Sequence, residues 1–177
     1  MAPVVRDGTG FEAIYSEHFA FVWRCLRGLG VPEAALDDAA QDVFVIVHRR
    51  LPEFRGDSTL RTWLYGIVRN VASNTRRAHR RKGDHEELPH DAAATTGDPH
   101  QRAQDQEAAR FVQSFLAGVG EKKRELFVLA VLEQLSVPEA AEALGIPLNT
   151  AYTRLRVVRM EFQAALAQAA LPQRGTP

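Results

Sequence analysis

Between Gly83 and Gln104 the chain carries Pro89, Gly97, Pro99, a run of Ala and Thr and several acids, and its apolar residues follow no helical or strand interval. A stretch of that kind buries too little surface to order itself, so it divides the 177 residues into two small units. On either side Ala, Leu, Arg, Glu and Gln dominate, residues that lose little freedom in a helix, while alternating β-branched and aromatic runs are sparse. The expected class is therefore all-α. Two small helical domains, residues 1–82 and 107–177, are joined by a flexible acidic linker over 83–106, and the second contains a helix-turn-helix.

Apolar spacing fills in the helices. Phe11, Ile14, Tyr15, Phe19, Val22, Trp23 and Leu26 form one stripe, interrupted at Gly28 and Gly30. Pro32 and Glu33 open a second helix with the stripe Leu36, Ala40, Val43, Phe44, Val47 and Leu51, stopped by Pro52. After a loop at Arg55 to Thr59, with Gly56 at the turn and Asp57 or Ser58 as the cap, a third helix buries Leu60, Trp63, Leu64, Ile67, Val68 and Val71 and ends in a basic cluster at Lys82. Beyond the linker, Phe111, Val112, Phe115, Leu116 and Val119 make one stripe, and Leu126, Leu129, Ala130 and Leu132 another.

The net formal charge is zero, which by itself argues against a polyanion partner, but the charges are sorted into blocks. Arg69, Arg76, Arg77, Arg80, Arg81 and Lys82 follow one another without an acid, and between Ala143 and Met160 the only charges are Arg154, Arg156 and Arg159. Acids gather over Glu33 to Asp42 and Asp84 to Glu107. Separate surfaces for separate partners are implied. Cys25 is the only cysteine, so no intrachain disulfide is possible and a reduced, cytoplasmic location is expected. Neither a leader-like start nor a membrane-spanning apolar run is present.

Two segments carry functional chemistry. A short helix from Pro138 to Leu144, the turn Gly145-Ile146-Pro147 and a helix from about Asn149, which can cap it, have helix-turn-helix spacing. Ala151, Leu155, Val158, Phe162 and Leu166 form the inner stripe of that last helix, leaving Tyr152, Thr153 and Arg156 outward and Arg154 on the flank. Arginine and hydroxyl groups so placed can read base edges in the major groove, whereas a plain hairpin with a solvated basic face is the bland alternative. In the first unit, the loop Arg55 to Thr59 leads through Arg61, Thr62, Trp63, Leu64 and Tyr65 to Asn70 and the arginines, a mixture suited to unpaired bases and phosphates. Trp63 falls in the apolar stripe, so it reads first as core.

These segments resemble the extracytoplasmic-function sigma factors, which retain the two sigma regions called region 2 and region 4. The resemblance covers nearly the whole chain: Asp37-Asp38-Ala39-Ala40-Gln41-Asp42-Val43-Phe44 is similar to the polymerase-binding helix, Phe54 to Asn70 to the minus-ten segment, and Leu135 to Arg159 to the minus-thirty-five helix-turn-helix. It implies that Asp37, Asp38, Gln41, Asp42 and Phe44 dock the clamp helices of the polymerase β′ subunit. Val45 and Ile46, off the inner stripe and rimmed by those acids, favour an interface over a merely solvated face. It further implies that Arg55, Gly56, Asp57, Ser58, Thr59, Trp63, Asn70, Arg76 and Arg77 meet the minus-ten element, and that Thr150, Tyr152, Thr153, Arg154, Arg156 and Arg159 meet the minus-thirty-five element of promoter DNA. An anti-sigma factor is the implied regulator. Asn149 stands where the family usually has Gly and Tyr152 where Lys or Arg is common, which leaves the promoter sequence open.

No cofactor or metal is expected. His79, His85, His90 and His100 have no ligand spacing with one another or with Cys25 and read as solvated residues. No phosphate-cradling glycine loop, nucleophile elbow or paired-carboxylate arrangement is visible, so the chain is read as a non-enzyme. The rival readings are a helix-turn-helix regulator that binds an operator unaided, and an enzyme acting on nucleic acid.

Overall fold

The structure, a computed structural model, describes residues 9–82 and 99–170, and every regular element among them is a helix. The expected all-α architecture is found. In chain order the α-helices are α1 (Thr9–Gly28), α2 (Leu36–Arg50), α3 (Leu60–Lys82), α4 (Pro99–Gly118), α5 (Glu121–Phe127), α6 (Val137–Leu144) and α7 (Leu148–Ala169). Short 3-10 turns at Glu33–Ala35 and Leu51–Glu53 bracket α2, and a π-helical turn, Val128–Leu132, extends α5.

Helices α1, α2 and α3 pack around Val22, Leu26, Leu36, Val43, Val47, Leu64, Tyr65 and Val68. The chain leaves α1 at Gly30, whose φ of +81° is left-handed and suits glycine. Asp37 and Asp38 lie in the first turn of α2 and His48, Arg49 and Arg50 in its last, each sign where the helix dipole favours it. Pro52 lacks the N–H that would continue the ladder, and α2 gives way to the 3-10 turn there. In the second unit the Phe115, Phe127 and Phe162 rings meet at centroid distances of 5.0 to 5.3 Å, and Leu126, Leu129, Leu144, Leu155 and Val158 complete the core.

Several expectations are corrected. Helix α4 starts at Pro99, so residues 99–106 are helical and not linker; residues 83–98, with His85 and His90, lie outside the described residues. Thr59 caps α3, its Oγ1 accepting the Thr62 N–H at 3.2 Å, because a cap acceptor sits three residues before the donor it satisfies and neither Asp57 nor Ser58 does. Pro147, not Asn149, stands at the N-cap of α7. Leu132 is exposed: Val128 O accepts from Glu133 N, five residues on, and the extra residue in that turn throws Leu132 off the 3.6-residue stripe. Tyr15 and Leu166 are also exposed, and Ile46 is half-buried against the core of the first unit.

The two units touch. Helix α3 packs on α6, and the end of α1 meets the Val128–Leu132 turn so closely that a Cβ on Gly28 would lie 2.8 Å from Val128 Cγ2. Their buried residues form one continuous cluster.

Candidate nucleic-acid interface

In the first unit the loop before α3 presents Arg55, Gly56, Asp57 and Thr59 to solvent, with Ser58 half-buried and Gly56 at a φ of +76° that makes the turn. Trp63 is half-buried, its ring 5.1 Å from that of Phe54 and packed on the core, so the core reading holds for one side of the indole. Trp63, Asn70 and Arg77 are spaced by seven residues, nearly two turns, and therefore share a face of α3 running on from the loop. Asn70 and Arg77 are exposed there. Arg76 is not: its guanidinium donates to Leu29 O at 2.6 Å and pairs with Glu121 of α5. Arg76 is thus turned toward the second unit, away from the other predicted contacts.

The helix-turn-helix is built by local rules. Ser136 and Glu139 form a reciprocal capping box on α6, Ser136 Oγ accepting from Glu139 N and Glu139 Oε2 from Ser136 N at 2.9 Å; the Ser136 hydroxyl, donating to Glu139 Oε2 at 2.6 Å, and then the Ser136 N–H hold the Glu139 carboxyl below the usual range. Gly145, at φ +62°, ends α6 in the left-handed conformation, and Ile146 N then bonds Ala141 O at 3.0 Å. Helix α7 buries Ala151, Leu155 and Val158 and exposes Tyr152 (52%), Thr153, Arg156 and Arg159, while Arg154 and Thr150 are half-buried on the flank. The Thr153 hydroxyl donates to Asn149 O at 2.9 Å, which leaves its oxygen free to accept. Between α6 and α7 lies an open groove of about 670 Å³ lined by Val137, Tyr152, Leu155, Arg156 and Met160.

The third surface is on α2. Asp37, Asp38, Gln41 and Asp42 are exposed, with Trp23 Nε1 donating to Asp37 Oδ1 at 3.3 Å. Phe44 is 3% exposed and packs on Tyr15 at 4.6 Å, so it supports this surface from beneath. Beside the acids runs a groove of about 700 Å³ whose walls include Phe11, Tyr15, Phe19, Phe44 and His48. The sequence reading missed it by assigning the α1 aromatics to one core stripe; their spacing, Phe11-Tyr15-Phe19, was the available signal, since it drifts off the buried line Ile14-His18-Phe21-Cys25.

Known proteins match this arrangement region by region. The Sigma-70 region 2 model matches residues 14–82, and the Sigma-70 region 4 model matches residues 112–161. RNA polymerase sigma factor CnrH of Cupriavidus metallidurans is 30% identical over 165 residues, 88% of this chain and 86% of that one. The ECF RNA polymerase sigma-E factor of Haemophilus influenzae is 30% identical over 129 residues, 68% of each chain. The chain belongs to the ECF sigma factors. A solved structure of CnrH in complex with the cytosolic domain of CnrY superposes on this sigma factor with a TM-score of 0.70 at 26% identity, covering 92% of this chain and 90% of that one. Region 2 of the sigma factor thus corresponds to α1 to α3 and region 4 to the helices from α4 to α7. Sigma regions 2 and 4 bind core RNA polymerase and promoter DNA, and the family serves transcription initiation.

Proposed function

We propose that this sigma factor docks core polymerase through the exposed acids of α2, opens the minus-ten element with the loop and outer face of α3, and grips the minus-thirty-five element with α7. Asp37, Asp38, Gln41 and Asp42 meet the β′ clamp helices, with Phe44 setting the floor beneath them. Arg55 to Thr59, Trp63, Asn70 and Arg77 hold unpaired bases and their phosphates, Arg76 joining them only if it leaves Glu121. Thr150, Tyr152, Thr153, Arg154 and Arg156 read base edges, and Arg159 grips phosphate. Polymerase performs the chemistry, and the sigma factor catalyses nothing. It acts where polymerase acts, in the cytoplasm; among the described residues no helix is long and apolar enough to cross a membrane.

The observation that carries this reading is the pairing, in one chain, of an exposed polar face on α3 with an arginine-bearing recognition helix behind a helix-turn-helix. In transcription reconstituted with core polymerase, Asn70→Ala with Ser58→Ala should leave promoter binding intact and reduce permanganate reactivity of the minus-ten bubble. A normal bubble in that variant removes the loop and Asn70 from the site, and operator binding without polymerase at full affinity would favour the autonomous regulator. An anti-sigma factor completes the proposal. CnrH forms a complex with the cytosolic domain of CnrY, and the apolar grooves on α1–α2 and α6–α7 offer an amphipathic helix of such a regulator two separate seats on this chain.

A further inference from the structure

Four arginines of region 2 are held by three acids of region 4, and every pair joins the two units. Glu133, whose side chain is 2% exposed, accepts from Arg24 Nε and Nη2, both at 2.8 Å, and lies 3.4 Å from Arg61 Nη2. Arg61 Nη2 also donates to the Glu133 carbonyl at 2.9 Å. Glu125, 6% exposed at its side chain, accepts from Arg69 Nε at 2.5 Å, and Glu121 pairs with Arg76. Arg76 holds the Glu121 carboxyl below its usual range.

The arginines form a row. Arg61, Arg69 and Arg76 fall along one flank of α3 over about 22 Å, with Arg24 reaching the same end from α1. That length equals roughly six nucleotide steps of a DNA strand. Arginine forks suit carboxylates and phosphates alike, so the acids of region 4 offer the row what a nucleic-acid backbone would. The flank lies about 130° around α3 from Trp63, Asn70 and Arg77, so region 4 pairs the guanidinium groups, which stay partly open to solvent, and leaves the proposed base-holding face free.

Resting on the sigma-factor reading above, we propose that Arg24, Arg61, Arg69 and Arg76 form a phosphodiester-binding row, which Glu121, Glu125 and Glu133 occupy as phosphate stand-ins to hold the polymerase-free chain closed. Two carboxylates as buried as Glu125 and Glu133 are costly unless paired, which ties the closed state to these contacts. Salt and polyanions compete for the same cations, and they therefore open the chain. The close seat of Gly28 on Val128 makes closure sensitive to one added side chain that touches no charge.

The test uses the full chain in two measurements. Cys25 is fully buried, so dyes placed through Ala20→Cys and Ala164→Cys, both exposed positions, report the distance between the units by Förster transfer. Transfer should be high at low salt and fall with added salt, with Gly28→Val, and with Glu125→Gln plus Glu133→Gln. Anisotropy of a short labelled DNA lacking promoter sequence then reports the row: if closure leaves about one molecule in ten open, either opened variant should bind about tenfold more tightly than the parent. Adding Arg61→Gln and Arg69→Gln should abolish that gain. Low transfer in the parent, unaffected by salt, would overturn the closure. Opening without a gain in DNA affinity, or a gain that survives loss of the arginines, would overturn the phosphodiester row. Circular dichroism confirms that the charge-neutral Gly28→Val and the isosteric Glu→Gln variants stay helical, and because they perturb the interface differently, agreement between them decides the outcome. Promoter-specific transcription separates this result from the underlying reading: an intact tenfold gain without any transcription would sink the sigma-factor roles and spare the row, and the converse would do the reverse.

Discussion

His18 is one of the few polar side chains buried in the first unit, and burial pushes its imidazole below the ordinary value; Glu17, 4.0 Å away, opposes that and Arg61 adds to it. A depressed histidine makes no difference to stability above its unfolded value of about 6.5, where both states are neutral, and costs stability as pH falls through its folded value. The melting temperature should therefore decline as pH falls below about 6.5, and His18→Gln should remove that part of the decline. Gly145 isolates a backbone effect. A Cβ there meets nothing within 4 Å, so Gly145→Ala creates no clash and tests only the φ of +62°. A cost of about 1–2 kcal/mol in denaturant unfolding is expected. At this scale the sequence was only partly legible. Gly56 and Gly145 announced their turns, whereas the choice of Thr59 over Ser58 as a cap depended on which residue stood three before an orphan N–H. The burial of Cys25 and Tyr65, neither of them on an expected stripe, depended on neighbours far away in the chain.

At the scale of the element, α7 combines two jobs on different sides. Ala151, Leu155 and Val158 anchor it, while Tyr152, Arg156 and Arg159 line one outward side at spacings of four and three residues. Losing a bidentate arginine should cost about 1–3 kcal/mol at one base pair, whereas losing a phosphate contact weakens all sequences alike and lowers the salt slope. In a transcribed promoter library, Arg156→Ala should shift minus-thirty-five preference and Arg159→Ala should lower output uniformly; identical selectivity in both would remove base readout from this helix. Helix α2 needs a similar separation of roles. Phe44→Ala should cost about 3–5 kcal/mol of stability because the ring is core, so the surface is tested by Asp42→Arg, which should weaken binding to core polymerase with the melting temperature unchanged. The helices themselves were legible because amphipathic spacing is a local property. The π turn at Val128–Leu132 was not, since inserting one residue into a helical turn leaves no mark in a 3.6-residue pattern.

At the scale of the whole molecule, the continuous core and the arginine–glutamate pairs couple the two regions. Calorimetry should show one unfolding transition at low salt, and two once high salt or Glu125→Gln with Glu133→Gln uncouples them; a single transition throughout would mean that apolar contact alone joins the units. The sequence by itself determined the helical class, the order of the two regions, the helix-turn-helix and the outward side chains of α7, because periodicity, turn residues and motif order act within a few residues. It also sorted the charges into blocks, and read the acids near Glu33 to Asp42 and the arginines after Arg69 as surfaces for outside partners. The tertiary structure decided which of those charges meet each other. Glu121, Glu125 and Glu133 carry no distinguishing sequence pattern, and they matter because folding sets them against arginines 45 to 109 residues away. Long-range pairing of that kind depends on how the helices pack, which no local spacing encodes.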